Sequence, residues 1–338
     1  MTMEFDLFKQ IVKAEVTHSG FCALRDSPVH GGARTLMNQL FARMGDPDGK
    51  FVNEFQGPGF HSHLFELACF AYLEEAGFRA ERSHTRPDFL VSKNGIDLAL
   101  ECTTANPRDG RGKDISVANM EDLTEAELVE KVEVEFPRRV IRCLLAKLKK
   151  NYHLLPQCAG KPIVLLVAPF FESGSVLYSD VSLAKAFFGG PPDDEYVDEP
   201  FFLQEAVRRI SAVLYCNAFQ VSKFFRMNTD FSSSSAWTAV REGKCFVVSP
   251  DSEYELLNFR FRMGDPSIPE EHWSEGVTLF ENPFAEIPLP AGILPCSSKI
   301  SLQDGYVYRN VYGFHPLATG MRVWRNSSLT GVEESSTA

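Results

Sequence analysis

Long hydrophobic runs are missing from this chain of 338 residues: no stretch approaches the roughly 20 consecutive apolar residues of a membrane span. The opening MTMEFDLFKQ lacks the basic run followed by a greasy one that marks a secretory leader. The expected compartment is therefore the cytoplasm, with no membrane partner. The eight cysteines are scattered singly, with no C-x-x-C pair and no zinc spacing, which speaks against a disulfide scaffold and predicts reduced core residues. Positive charge is scarce as well. Against 45 Asp and Glu stand 34 Lys and Arg, a formal net charge of -11, so a polyanionic partner has to be gripped by a local basic surface. What the chain has is core: 44% apolar and 12% aromatic residues suffice for one large domain or two modest ones.

Residues 1–59 read as an N-terminal helical extension, with helical stretches FDLFKQIVKAEV and ARTLMNQLFARM between turn-rich segments. From Ser62 to Ala76 apolar residues recur at helical spacing, with Ser62 as the expected N-cap, Gly77 as the stop and Phe78 as the C-terminal staple. A short strand is expected around 78–83. PDFLVS and IDLALECTT then flank a Lys-Asn-Gly turn and predict a β-hairpin. An exposed loop at 106–120, an acidic helix at about 122–135, a second helix begun by Pro137 and a buried strand, KPIVLLVAPFF, complete an α/β unit at 60–171. Residues 172–325 read as a C-terminal α+β elaboration, with a helix at 201–210 and strands at SAVLYCNA, KCFVVS and YVYRNVYG, and 326–338 as a disordered tail.

Alternation along the second hairpin strand puts Glu101 and Thr103 on one face, and pairing with the first strand places Asp88 at the same rim of the sheet. Neighbouring carboxylates repel each other unless a cation sits between them, and oxygen-only ligation suits Mg2+ or Mn2+ together with a substrate phosphate. The plain alternative is a turn aspartate and a strand-end glutamate that are merely solvated. Glu66 adds weight to the metal reading. It shares a helix face with Cys69, Phe70 and Leu73, so its carboxylate is half-buried and needs a partner. A helix packed on the hairpin would aim it at the same ion.

In order, a helix glutamate, Pro87-Asp88 opening a strand, a short turn, Glu101-x-Thr103, a basic helix and a buried strand resemble the PD-(D/E)XK nuclease superfamily over residues 60–171. Uncharacterised bacterial members with E-x-T-T-x-N-P are similar at Glu101 to Pro107. The resemblance implies a restriction-endonuclease-like α/β fold, a mixed sheet flanked by helices. It also implies a divalent-metal-dependent phosphodiesterase acting on nucleic acid, with DNA favoured over RNA and a homodimer among the open assemblies. Asp88, Glu101 and Glu66 would hold Mg2+ or Mn2+, polarising the phosphate and activating the water. Where the family places a lysine this chain has Thr103, whose neutral hydroxyl is a poor base.

Four residues could replace that cation. Lys93 lies in the hairpin turn and is expected to be solvated. Arg86 is always charged and suits phosphate binding. Lys147 lies on the inward stripe of its helix with Val140, Cys143 and Leu144, and some members of the superfamily are similar in drawing their lysine from such a helix. Lys147 is therefore the expected catalytic ammonium, with a pKa depressed by low solvation and the metal. Lys150 is the reserve, and Lys150 with Tyr152 is expected to reach phosphate. Cys102 faces the core, and His61 and His63 are expected at the surface. The mixed rings and cations Phe224, Phe225 and Arg226, and Phe259 to Arg262, describe half-buried strand better than a nucleic-acid surface. The alternative to a nuclease is a degenerate nuclease fold that only binds nucleic acid or protein. Thr103 and the net charge favour that alternative.

Overall fold

The computed structural model describes residues 6–106, 123–172, 174–189, 199–231, 236–248, 254–268 and 270–326. Most of the loop expected at 106–120 and nearly all of the tail expected at 326–338 lie outside them. The fold is mixed α/β. Helices α1 (Ser19–Asp26), α2 (Gly31–Met44), α3 (Phe51–Gln56) and α4 (Phe60–Glu75) come first. Strands β1 (Arg79–Glu81), β2 (Phe89–Lys93) and β3 (Ile96–Ala105) follow. After α5 (Glu125–Val129) a π-helical turn runs directly into α6 (Phe136–Leu148), and then come β4 (Ile163–Pro169), α7 (Val181–Phe188) and β5 (Ala212–Cys216). The chain continues with α8 (Val221–Asn228), β6 (Trp237–Val248), β7 (Tyr254–Arg262), β8 (Val277–Glu281), β9 (Ser298–Gln303), β10 (Tyr306–Val311) and β11 (His315–Arg325).

Eight strands form one sheet in the order β1-β2-β3-β4-β5-β8-β9-β10, and β11-β6-β7 form a smaller second sheet. The hairpin at its start has the expected cause. Asn94 and Gly95, with φ of 52° and 78°, close a two-residue turn between paired Lys93 and Ile96. β3, β4 and β5 then run parallel, as completely buried strands do when helices cover both faces. The elements at 60–171 are thus not an isolated layer, because β5, β8, β9 and β10 extend the same sheet from β4 outward.

Helix α4 is buried on nearly every side, Leu64 to Leu73 without interruption, because it lies between the sheet and the N-terminal helices. It begins at Phe60 rather than after Ser62, whose hydroxyl is committed elsewhere. Its end is as expected. Gly77 takes φ of 78°, and Phe78, buried, returns its N–H to the Leu73 carbonyl at 3.0 Å. Lys93 is not simply solvated: its ammonium donates to the last-turn carbonyl of Ala76 at 2.7 Å and lies over the Phe78 ring. The opposite face of the sheet is covered by α6 and α7, with Val140, Leu144 and Phe187 fully buried there.

Two expectations about the C-terminal half need correction. The helix expected at 201–210 is a pair of short 3-10 turns, Phe201–Leu203 and Glu205–Arg209, whose phenylalanines plug the α7 face instead of forming an amphipathic stripe. Phe224, Phe225 and Arg226 belong to α8, whereas Phe259 to Arg262 form the half-buried edge strand β7 that the alternation suggested.

Because Val140 and Leu144 are the fully buried side chains in the middle of α6, truncating one should loosen the helix that carries Lys147. Leu144→Ala is expected to lower stability by about 2–5 kcal/mol, as a buried leucine-to-alanine change does. Urea denaturation of the two proteins reads this directly, and a loss well under about 1 kcal/mol would mean that α6 is not packed as described.

Candidate functional site

The β2–β3 register decides which side chains meet. Phe89 pairs with Leu100, so Asp88, one residue before β2, stands opposite Glu101. The ladder is completed through their side chains. The Asp88 N–H donates to Glu101 Oε2 at 3.2 Å, and the Cys102 N–H donates to Asp88 Oδ2 at 2.7 Å. Glu101 and Thr103 face α6, as alternation requires, while Leu100 and Cys102 pack toward α4.

Glu101 is 2% exposed, a position that a carboxylate tolerates only with a partner. The partner is Lys147, whose Nζ donates to Glu101 Oε1 at 2.5 Å. The ammonium expected at position 103 thus arrives from α6, at the strand position two residues earlier. Its titration differs from the expectation of a depressed pKa. Burial does act against the charged form, but the Glu101 and Asp88 carboxylates together outweigh it and hold the Lys147 pKa above its ordinary value. In this geometry Lys147 is a fixed cation and not a neutral base.

One ammonium shared by two carboxylates leaves Asp88 undercompensated. Burial first, and then the charges of Glu101 and Glu66, push its pKa up to about 8 against the smaller opposing pulls of Lys147 and the Cys102 N–H. Its Oδ1 has no hydrogen-bond partner among the described residues.

Glu66 does not join this pair directly. It is held by Arg82 on one oxygen and by His63 Nδ1 at 2.9 Å on the other, which satisfies the buried carboxylate that the helix pattern exposed as a problem. Among the described residues, no three His, Cys, Asp or Glu side chains are grouped as a metal-ligand set. The expected triad is therefore a pair, Asp88 and Glu101, with Glu66 nearby in the same cleft. The residues nevertheless fit a hard cation. The site carries an excess of buried negative charge, an open carboxylate oxygen, and the Tyr152 hydroxyl buried without a partner, its pKa raised by burial and then by Glu101.

Tyr152 is 3% exposed and packs behind Glu101, so it cannot reach out to a phosphate as the sequence suggested. Lys150 and Arg86 are exposed, Lys150 in the turn after α6 and Arg86 next to Pro87, with its carbonyl accepting from Gln157 at 2.6 Å. Thr103 is half-buried, makes no side-chain hydrogen bond among the described residues and lines the cleft. That cleft has a volume of about 310 Å³ and is walled by Ser62, His63, Glu66, Asp88, Thr103 and Lys147. A second hollow of about 230 Å³, with Asp46, Asp48 and Glu54 on its wall, shares His63, Glu66 and Asp88 with it.

The sequence reading missed His63, Arg82, Ser62 and Asn106. The histidines opening α4 are not surface residues. His61 stacks on Phe170, burial and then His18 lowering its pKa to about 4, and His63 packs on Phe51. Ser62 Oγ meets Thr104 Oγ1 at 2.8 Å and accepts from Asn106 Nδ2 at 3.3 Å, which ties α4 to the end of β3. Helical spacing could have signalled the His63–Glu66 pair, three residues apart, but the other contacts join residues far apart in sequence. Compared with protein-family models, curated proteins and solved structures, the chain has no match.

The raised Asp88 pKa predicts an unusual pH dependence. A carboxyl that binds its proton more tightly in the folded state than in the unfolded one costs stability as pH rises from about 4 through about 8. Asp88→Asn keeps the acceptor for Cys102 N–H and removes the charge. In chelator its melting temperature should exceed that of the wild type at pH 8, with the gap closing toward pH 4. A gap independent of pH would show that Asp88 is not electrostatically strained.

Proposed function

We propose that the protein is a divalent-metal-dependent nuclease with a restriction-endonuclease-like core at residues 60–171, DNA being the favoured substrate. The observation that supports this most is the Lys147–Glu101 contact at 2.5 Å beside Asp88. It assembles two acids and an ammonium in one cleft although β3 has a threonine where the lysine would be. The topological order α4, β1, β2, β3, α6, β4 also agrees with the reading.

In this reading Asp88 and Glu101 would hold Mg2+ or Mn2+, with Glu66 on the wall of the same cleft. The ion, when bound, polarises the scissile phosphate and lowers the pKa of the attacking water. The remaining work belongs to the chain. Lys147, kept protonated by its neighbours, offsets the negative charge that grows on the phosphoryl oxygens and fixes the Glu101 carboxylate in place. Thr103 contributes a hydroxyl to the cleft wall and no charge. Arg86, Lys149 and Lys150 are exposed cations near the ends of these elements, suited to phosphate contacts in a chain whose net charge is otherwise unfavourable.

Incubation with supercoiled plasmid, single-stranded DNA and RNA in Mg2+, Mn2+ or chelator tests the proposal. Metal-dependent cleavage is expected in the wild type and absent in Asp88→Asn and Glu101→Gln, both still folded by circular dichroism. Cleavage by Asp88→Asn at the wild-type rate would remove the site assignment. Retained nucleic-acid binding without any cleavage in either metal would favour the degenerate binder instead.

Lys147→Ala is expected to cut the rate by roughly 100-fold or more, the loss typical of a positioned electrostatic group. Thermal stabilisation by Mn2+ should persist in that variant, because both carboxylates remain. If the rate is unchanged by Lys147→Ala and falls in Lys150→Ala, the reserve lysine has the role. If neither change matters to an active enzyme, α6 does not supply the cation.

A further inference from the structure

A second chemical environment lies between α8, the small sheet and residues 263–275, and it shares no lining residue with the carboxylate cleft. Its floor is a cluster of buried charges. Glu271 accepts from Lys223 at 2.7 Å and from Arg226 through Nε at 2.7 Å and Nη2 at 2.9 Å, and Arg241 Nη1 lies 2.5 Å from Glu275 Oε1. Three cations thus face two carboxylates in a largely buried region. Lys223 is 0% exposed and Arg241 2%. Among the described residues Arg226 Nη1 and Arg241 Nε are buried donors with no hydrogen-bond partner, and Glu275 Oε1 is a buried acceptor with none. A guanidinium donor left unmade in the interior is costly, so the uncompensated charge calls for an acceptor.

The space beside this cluster has a volume of about 510 Å³, within the range of small-molecule sites, about 300–1,000 Å³. Phe259, Phe261 and Phe314 stand around the Arg241 guanidinium with ring centroids 5.6–5.8 Å away, and Ile268 and Met263 continue the apolar wall. The rings stabilise the cation without neutralising it, so its demand for an anion remains. The exposed carboxylates of Asp265 and Glu270 stand at the mouth beside Arg262, an arrangement that disfavours a polyanion. Sugar hydroxyls would find few partners on such walls.

We propose that this cavity binds a small monoanionic organic acid, a carboxylate on a flat apolar body, with the head on Arg226 and Arg241 and the body among the three phenylalanines. One negative charge balances the surplus, and two guanidinium groups offer the donors a carboxylate accepts. The site is independent of the nuclease reading and stands or falls without it.

Titration of the full-length protein with 2-naphthoate and its neutral isostere 2-naphthamide, followed by calorimetry, tests the proposal. Naphthoate is expected to bind saturably and the amide about tenfold more weakly or worse, the difference a charge-assisted hydrogen bond makes. Ile268→Trp, which fills the apolar wall and leaves the charges alone, should abolish naphthoate binding, and Arg226→Gln should bring acid and amide to equal affinity. Equal binding of acid and amide by the wild type would reduce the cavity to a greasy hollow and overturn the proposal. So would naphthoate binding unchanged by a folded Ile268→Trp, or no saturable binding at millimolar naphthoate. Where a variant fails to fold by circular dichroism, the wild-type comparison of acid with amide decides.

Discussion

The pairing of β2 with β3 forces two carboxylates together where water cannot screen them, and much of the site's organisation answers that constraint. Asp88 and Glu101 are locked side by side by reciprocal bonds to the backbone of the opposite strand, so neither can swing out to solvent. Something positive has to come to them. Lys147 supplies one charge from α6, which explains why a lysine on an amphipathic helix points inward instead of snorkelling out. The charge it leaves uncompensated is the property that makes the cleft a candidate cation site. Glu66, by contrast, has its own partners in Arg82 and His63, although its charge still acts on Asp88.

Local chemistry made part of this legible in the sequence. The Asn-Gly turn fixes the hairpin register, register fixes which side chains face each other, and Gly77 ends α4 where a left-handed residue is needed. Helical spacing gave the inward direction of Lys147, and the resemblance singled it out as the cation. What spacing could not show is what long-range packing decides. Tyr152 reads as a surface aromatic beside two lysines, yet the turn after α6 folds it inward behind Glu101. Lys93 reads as solvated, yet the C-terminal carbonyls of α4 lie within its reach. Arg82 and Glu66 are sixteen residues apart on different elements, and only the packing of α4 over the strands joins them. The segment 201–210 carries helical spacing, but its two adjacent phenylalanines both find room in the same core and the regular helix gives way.

The two regions of buried charge differ in sign. The cleft on the large sheet has more carboxylate than ammonium, and the cavity at the small sheet has more guanidinium and ammonium than carboxylate. Neither imbalance improves folding, since a charge buried without its complement is worth less than a well-packed apolar side chain of the same size. Both are places where local stability is lower than the surrounding core could provide, and both open onto a cavity.

The large sheet also bears on how the chain could ever be divided. Seen from the carboxylate pair, all the chemistry lies before residue 153, which invites cutting the chain after β4. Yet β4 is buried at every position and pairs with β5 from Val164 to Val167. A fragment ending there would leave the β5 side of that apolar strand as an edge of unpaired backbone groups. Such an edge recruits other copies of itself, and so the strands contributed after residue 210 act as the cover of that edge.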